Sequence, residues 1–344
     1  MTAPIFIVGA NRSGTTLLRL MLNAHSRIAV PEEIVYFKSV SAGLPIEDWQ
    51  STDLSPSDYE AFVDEVLDAN PTLLRELDRA TVKTALLKPA PYDLRRPYAG
   101  LLAAWARAQG KPRWGEKTPG NLFFVDVLLE MFPDARFIHL VRDPRAGVAS
   151  MQRVDFFPNS VFFNAMSRAK HHRVARRMAS LVPADQWTTV RYEDLVSDAP
   201  RELETLCRFI GEPFETQMLR FHRSSSTYMK AEAASSFNAA ATRPVTTAMT
   251  EKWKDQLSAR DTAIIETICQ DEMTAHGYEP TSHVLGARDR GRLLIHAGYW
   301  ALQTWRNRHI REFTVKSPMF ARSRDRLRRW IAPRLPALAS WLGV

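Results

Sequence analysis

Two short runs of the sequence hold residues whose types and spacing suit the binding of oxyanions. The first is Gly9-Ala10-Asn11-Arg12-Ser13-Gly14-Thr15-Thr16. Two glycines frame it, and a helix expected from Thr15 would turn unpaired backbone N–H groups and a partial positive charge toward an anion. A loop that grips a nucleoside triphosphate reads G-x-x-x-x-G-K-[ST], with the lysine on the outer phosphates and the last hydroxyl on magnesium. Thr15 stands at the lysine position, and the cation of this loop is Arg12. A guanidinium suits a sulfate or phosphate held by forked hydrogen bonds better than a metal-bridged phosphate pair. The alternative is a glycine-rich turn with no ligand. The second run is Arg142-Asp143-Pro144-Arg145-Ala146-Gly147-Val148-Ala149-Ser150. Asp143 can cap a helix and Pro144 can start it. Ser150 would then lie roughly 9 Å along the axis, at about 1.5 Å per residue, within reach of a phosphate also met by Arg142. Alternatively, Arg142 is a core-edge partner of Asp143 or Asp134.

These runs need elements to position them. Ile5-Phe6-Ile7-Val8 reads as a buried strand within residues 4–8, followed by strands over 136–141 and 187–192. Helices are expected over 15–25, 58–69, 98–109, 121–131, 144–152, 162–181, 200–210 and 258–276, and His25 is expected to close the first of them. The alternation predicts an α/β fold, a P-loop-like parallel sheet flanked by helices, with a C-terminal helical extension. Residues 223–245 read as a long loop.

Composition sets outer bounds. A chain of 344 residues, 45% apolar and 24% charged, can bury a large core and is neither disordered nor fibrous. Its two cysteines, Cys207 and Cys269, supply neither a disulfide framework nor a zinc set, which together with the absence of a leader pattern before residue 4 leads us to expect a cytoplasmic protein. No apolar run approaches the roughly 20 residues of a membrane span. The net charge of +8 is unevenly spread. Residues 285–344 hold twelve arginines and Lys316 against Asp289, Glu312 and Asp325, a net +10, so residues 1–284 carry −2. We therefore expect two parts, a domain over 1–284 and a basic amphipathic extension over 285–344. With its Trp300, Trp305, Trp330 and Trp341, the extension would either pack an apolar face on the core or make peripheral contact with an anionic membrane. No nucleic-acid module accompanies the charge, and no nucleic-acid partner is expected.

Taken together, the two anion runs resemble those of the sulfotransferases that use 3′-phosphoadenosine 5′-phosphosulfate (PAPS). In that family a strand, loop and helix similar to residues 5–24 bind the 5′-phosphosulfate, and a segment similar to Arg142 to Ser150 binds the 3′-phosphate. Trp114-Gly115-Glu116-Lys117-Thr118-Pro119 and Val190-Arg191-Tyr192-Glu193-Asp194-Leu195 add to the resemblance, which spans about residues 4–280. The distance from Arg12 to Glu32-Glu33 looks most like the tyrosylprotein and carbohydrate branch. There a glutamate at this point is the general base, which implies Glu33, with Glu32 the close alternative. The resemblance further implies Lys117 near the bridging oxygen of the leaving group, in a loop after Trp114. It implies Tyr192 near adenine, unless that ring is ordinary strand packing. Arg243 and Lys252 would close over the phosphates, with Ser235 or Ser236 as partners. PAPS would be the sulfuryl donor and PAP the product, with no metal.

Such chemistry needs a carboxylate to take the acceptor's proton and donors for the charge on the moving group. Arg12, Ser13, Gly14, Thr15 and Thr16 can supply the donors. Glu116 is a rival base, although Lys117 beside it should favour its ionised, weakly basic form. Pro31-Glu32-Glu33 could instead be a plain helix start. Arg168, Lys170, Arg173, Arg176 and Arg177 on the 162–181 helix read as a solvated face or a lure for an acidic acceptor. Phe156, Phe157, Phe162 and Phe163 could stack on an acceptor ring or fill the core. The acceptor is a hydroxyl on a glycan, a peptide tyrosine or a metabolite. A P-loop kinase or nucleoside triphosphatase, or a noncatalytic nucleotide-binding protein, is the alternative.

Overall fold

β1 (Ile5–Gly9) is buried along its whole length, as a central strand covered on both faces requires. Its side chains alternate. Ile5 and Ile7 join the aliphatic cluster, while Phe6 stacks on Phe137 at 5.4 Å and meets Trp114 edge-on at 5.9 Å. The computed structural model describes residues 3–37, 55–88, 95–155, 157–223 and 242–315, with side chains as far as Leu302.

After β1 come α1 (Thr15–Asn23) and the two-residue β2 (Ile28–Ala29). The helices α2 (Pro56–Asp68), α3 (Pro71–Leu74), α4 (Arg79–Leu86) and α5 (Arg95–Ala108) lead to β3 (Arg113–Lys117). A 3-10 turn, Pro119–Phe124, runs into α6 (Val125–Met131), then β4 (Arg136–Val141), α7 (Pro144–Met151), α8 (Val161–Leu181) and β5 (Trp187–Arg191). Next are α9 (Tyr192–Ser197), α10 (Ala199–Ile210), α11 (Ala259–Ile268), α12 (Gln270–His276) and α13 (Ala287–Val315). The strands form one sheet in the order β2-β3-β1-β4-β5, with every pairing parallel. The expected α/β architecture is present.

Three differences from the sequence reading matter. β3 is a strand where a loop was expected, because its polar residues are satisfied by neighbours: Arg113 donates to the carbonyls of Ala3 (2.9 Å) and Ile210 (2.6 Å). The helix expected over 258–276 is two helices, parted at Cys269, whose backbone leaves the helical region while the apolar pattern runs on. Tyr192 opens a helix instead of ending a strand. His25 does have a structural part. Its Nδ1 accepts the Arg27 N–H (3.0 Å), which leaves Nε2 to donate to the Pro213 carbonyl (2.8 Å).

The described residues divide into two compact units between Val284 and Leu285. The first holds the sheet. In the second, α13 exposes Leu294, Ile295, Tyr299 and Leu302. Among the described residues no helix is long and apolar enough to cross a membrane.

Candidate functional site

In an all-parallel sheet the crevice lies outside the carboxyl ends of the strands, where neighbouring connections part to opposite faces. β1, between β3 and β4, ends at Gly9; β3 ends at Lys117; Arg142 follows β4 and Tyr192 follows β5.

The loop after β1 is shaped by backbone constraints. A Cβ on Gly9 would lie 2.5 Å from the Leu140 carbonyl oxygen, so only glycine lets β1 and β4 approach here. Arg12 is left-handed at φ 65°, and Gly14 has φ 96° with a Cβ position 2.4 Å from Cδ2 of Tyr192. Gly14 caps α1 with no side-chain hydrogen bond, so the first turn presents its N–H groups to the loop. Ser13 is buried, and its Oγ makes no hydrogen bond among the described residues.

The loop after β4 meets this one. Asp143 caps α7 by accepting from the Arg145 N–H at 2.8 Å. Ser150 lies in the second turn and accepts from Arg12 Nε at 3.1 Å, joining residues that are 138 apart in sequence. Arg142 donates to the carbonyls of Arg12 (3.3 Å) and Met249 (2.7 Å) and lies 4.3 Å over the Tyr192 ring, while its buried Nε has no hydrogen-bond partner among the described residues. Glu193 fixes the join by accepting from the Asp143 N–H (3.1 Å) and from the Tyr278 hydroxyl (2.8 Å). Burial holds both guanidiniums below their ordinary pKa, and Arg142 and Arg153 depress Arg12 further. Cations crowded in this way, next to the unpartnered Ser13 Oγ and Arg142 Nε, fit a bound dianion that would answer both the charge and the open donors.

On the other side of β1, Lys117 is buried and donates to Glu33 Oε1 at 2.5 Å. Residues 31–36 are not helical, which removes the helix-start reading of Pro31-Glu32-Glu33. Buried Asn70 pins this segment, accepting from the Val35 N–H (2.8 Å) and donating to its carbonyl (3.0 Å). Glu33 is thereby held with its side chain about half exposed, at the mouth of the crevice.

Glu116 differs from expectation. Strand alternation turns it away from Lys117 into the core, where it accepts from Asn121 Nδ2 (2.7 Å) and from the Thr118 hydroxyl. Burial, not the adjacent lysine, dominates, and its pKa rises from 4.5 to about 7. Tyr192 serves as a wall against Gly14 and a platform for Arg142.

Arg243 and Lys252 are exposed, and the contact to Arg142 from their segment comes from the Met249 carbonyl. Ser235 and Ser236 lie outside the described residues, as does Phe156. Phe157 and Phe162 are half-buried and Phe163 is exposed, so none of these three fills the core. Arg168, read from the sequence as part of a solvated face, is instead buried beneath both loops. No spacing rule pointed to it; the sole signal was Gly147, whose missing Cβ leaves room for the guanidinium.

The arrangement offers a two-loop cradle for anions, with a lysine and a carboxylate beside it. Among the described residues no cluster could hold a metal ion. The sequence matches the family model described as Sulfotransferase family over residues 4–216. Protein-tyrosine sulfotransferase 1 of Danio rerio is 30% identical over 220 residues, 62% of this chain and 55% of that protein. Nodulation protein NoeE of Sinorhizobium fredii is 26% identical over 325 residues, covering 87% of this chain and 72% of its own length. The chain spans about half of the Danio rerio protein and a third of the similar protein from Mus musculus. Among solved structures, the sulfotransferase domain of the Synechococcus PCC 7002 olefin synthase shares the fold, with a TM-score of 0.54 at 23% identity over 79% of this chain and 96% of that one. With more than half of its length matched, and with both anion loops and the Lys117–Glu33 pair inside the match, the chain belongs to the sulfotransferase family.

Proposed function

We propose that the protein transfers the sulfuryl group of PAPS to a hydroxyl acceptor by in-line displacement. The observation that carries this reading is the Arg12–Ser150 hydrogen bond, which with Arg142 gathers two anion-binding loops into one cluster. Arg142 and Ser150 would hold the 3′-phosphate. Arg12, Ser13 and the N–H groups of Gly14, Thr15 and Thr16 would hold the phosphosulfate and stabilise its charge. Glu33 takes the acceptor's proton as the acceptor oxygen bonds to sulfur. Lys117 donates to the bridging oxygen as the sulfur–oxygen bond breaks, and PAP departs with the electron pair. Tyr192 keeps Arg142 in place. The exposed Arg243 and Lys252 would reach the nucleotide only if their segment closes on it.

The acceptor class rests on relatives alone: the name of the Danio rerio protein points to peptide tyrosine. For α13, the exposed Leu294, Ile295, Tyr299 and Leu302 with exposed Arg288, Arg290 and Arg292 support peripheral attachment to an anionic membrane.

The test is transfer of radiolabelled sulfate from PAPS to a panel of tyrosine peptides and glycans in EDTA, with calorimetric binding of PAP. Binding of PAP together with metal-independent transfer is expected. Magnesium-dependent ATP turnover without PAP binding would replace this reading with the nucleoside triphosphatase one.

A further inference from the structure

Helix α8 carries a guanidinium into the space under both anion loops. Arg168 is 1% exposed. Its Nη1 donates to the Asn11 carbonyl at 3.4 Å, and its Nη2 donates to the Arg142 carbonyl at 2.7 Å and to Glu272 Oε1 at 2.9 Å. Asn11 lies in the loop after β1, and Arg142 opens the loop after β4. One planar fork thus spans the backbones of the two loops.

The surroundings are shaped to that fork. A Cβ on Gly147 would stand 2.1 Å from Nη1 and 2.7 Å from Cζ of Arg168, so glycine is needed where α7 passes over the guanidinium. Glu272, from α12, supplies the countercharge and is itself buried. A buried ion pair is costly to assemble, and apolar side chains would fill the same volume without that cost. What apolar residues cannot do is hold two carbonyls, at opposite ends of a rigid donor, at a set separation.

We propose that Arg168 is a positioning residue for the nucleotide donor: it fixes the spacing between the Arg12 loop and Arg142, so that the two address one ligand. This rests on the reading of those loops as the PAPS site. Lysine can keep the charge and the pairing with Glu272, but a single ammonium cannot bridge both carbonyls. Alanine at 147 would displace the fork while leaving Arg168 in the chain.

The experiment is calorimetric titration with PAP, alongside thermal melting, of the wild type, Arg168→Lys, Gly147→Ala and the double variant. We expect Arg168→Lys to melt within a few degrees of wild type and to bind PAP at least tenfold more weakly. Gly147→Ala should lose a similar factor alone and less than twofold in the Arg168→Lys background, where the atoms its Cβ meets are gone. The proposal is overturned if folded Arg168→Lys binds within twofold of wild type. It is equally overturned if Gly147→Ala weakens binding by the same factor in both backgrounds. Should wild type itself fail to bind PAP, the donor reading falls instead.

Discussion

Glu116→Gln separates the two carboxylates that compete for the role of base, and its effect on stability can be worked out in advance. Glu116 is fully buried, and burial raises its pKa from 4.5 to about 7. In the unfolded chain the group ionises near its ordinary value, whereas in the folded protein it keeps its proton to about pH 7. Between those values the folded state binds more protons than the unfolded one, so stability falls as pH rises, and the penalty is fully present above pH 7. At about 1.4 kcal/mol per pH unit, the window corresponds to about 3 kcal/mol. Glutamine removes this slope. Its carbonyl can accept from Asn121, and its amide can donate to the Thr118 oxygen, which turns to accept. The assay is urea denaturation of both proteins at pH 5 and pH 7.5, where all other titrations cancel in the difference between them. The variant should gain on wild type by about 2–3 kcal/mol between the two conditions, and sulfuryl transfer should stay within a few fold. If the difference in stability does not change with pH, the account of Glu116 as a core acid is refuted. If transfer collapses, Glu116 and not Glu33 handles the acceptor's proton.

Further outcomes follow from the same geometry. Glu33→Gln should keep PAP affinity and lower kcat by about 10²–10⁴-fold, the usual worth of a general base, which single-turnover kinetics would read. Lys117→Met should lower kcat by about 10²–10³-fold with little change in PAP affinity, as expected for a group that acts on developing charge; an equal loss in affinity would assign it to ground-state binding. Ser150→Ala removes the acceptor of the Arg12 Nε bond and should weaken PAP binding by about 1.5–3 kcal/mol, measured by calorimetry. Gly14→Ala places a methyl 2.4 Å from the Tyr192 ring at a positive φ. The strain of roughly 1–2 kcal/mol adds to overpacking of about 1–3 kcal/mol, so a clear loss in denaturation midpoint is expected.

What the sequence disclosed followed how plainly each element shows its pattern. β1 and β4 are apolar runs with a loop of special residues after each, and both loops stand where their spacing put them. β3 was hidden because Arg113, Glu116 and Lys117 break the apolar pattern of a strand, and the partners of Arg113 and Lys117, the Ile210 carbonyl and Glu33, come from distant segments. The same alternation misled the reading of Glu116, since neighbours in a strand face opposite sides and Lys117 is close in sequence only. Arg168 sits among four other cations of α8, and nothing local tells the buried one from the solvated ones. Its identity as a buried residue depends on Gly147 and Glu272, which lie 21 residues before it and 104 after it.

Two arginines under the site draw carboxylate partners from beyond the stretch that matches the family, and Arg145 draws a further one, Asp143 at 2.7 Å, from within it. Arg145 pairs with Glu266 at 2.7 Å and Arg168 with Glu272 at 2.9 Å, whereas the match ends at residue 216. A chain cut at that boundary would lose both carboxylates together with α11 and α12, which carry them, and with Trp253, over whose ring the Arg145 guanidinium lies at 4.2 Å; Arg145 would keep Asp143, and Arg168 would lose Glu272. A piece that keeps both pairs and their support therefore reaches past Thr281, whose N–H and hydroxyl both hold Glu266. For anyone trimming or fusing this protein, the place to cut is set by charge balance in the interior and not by where sequence similarity fades.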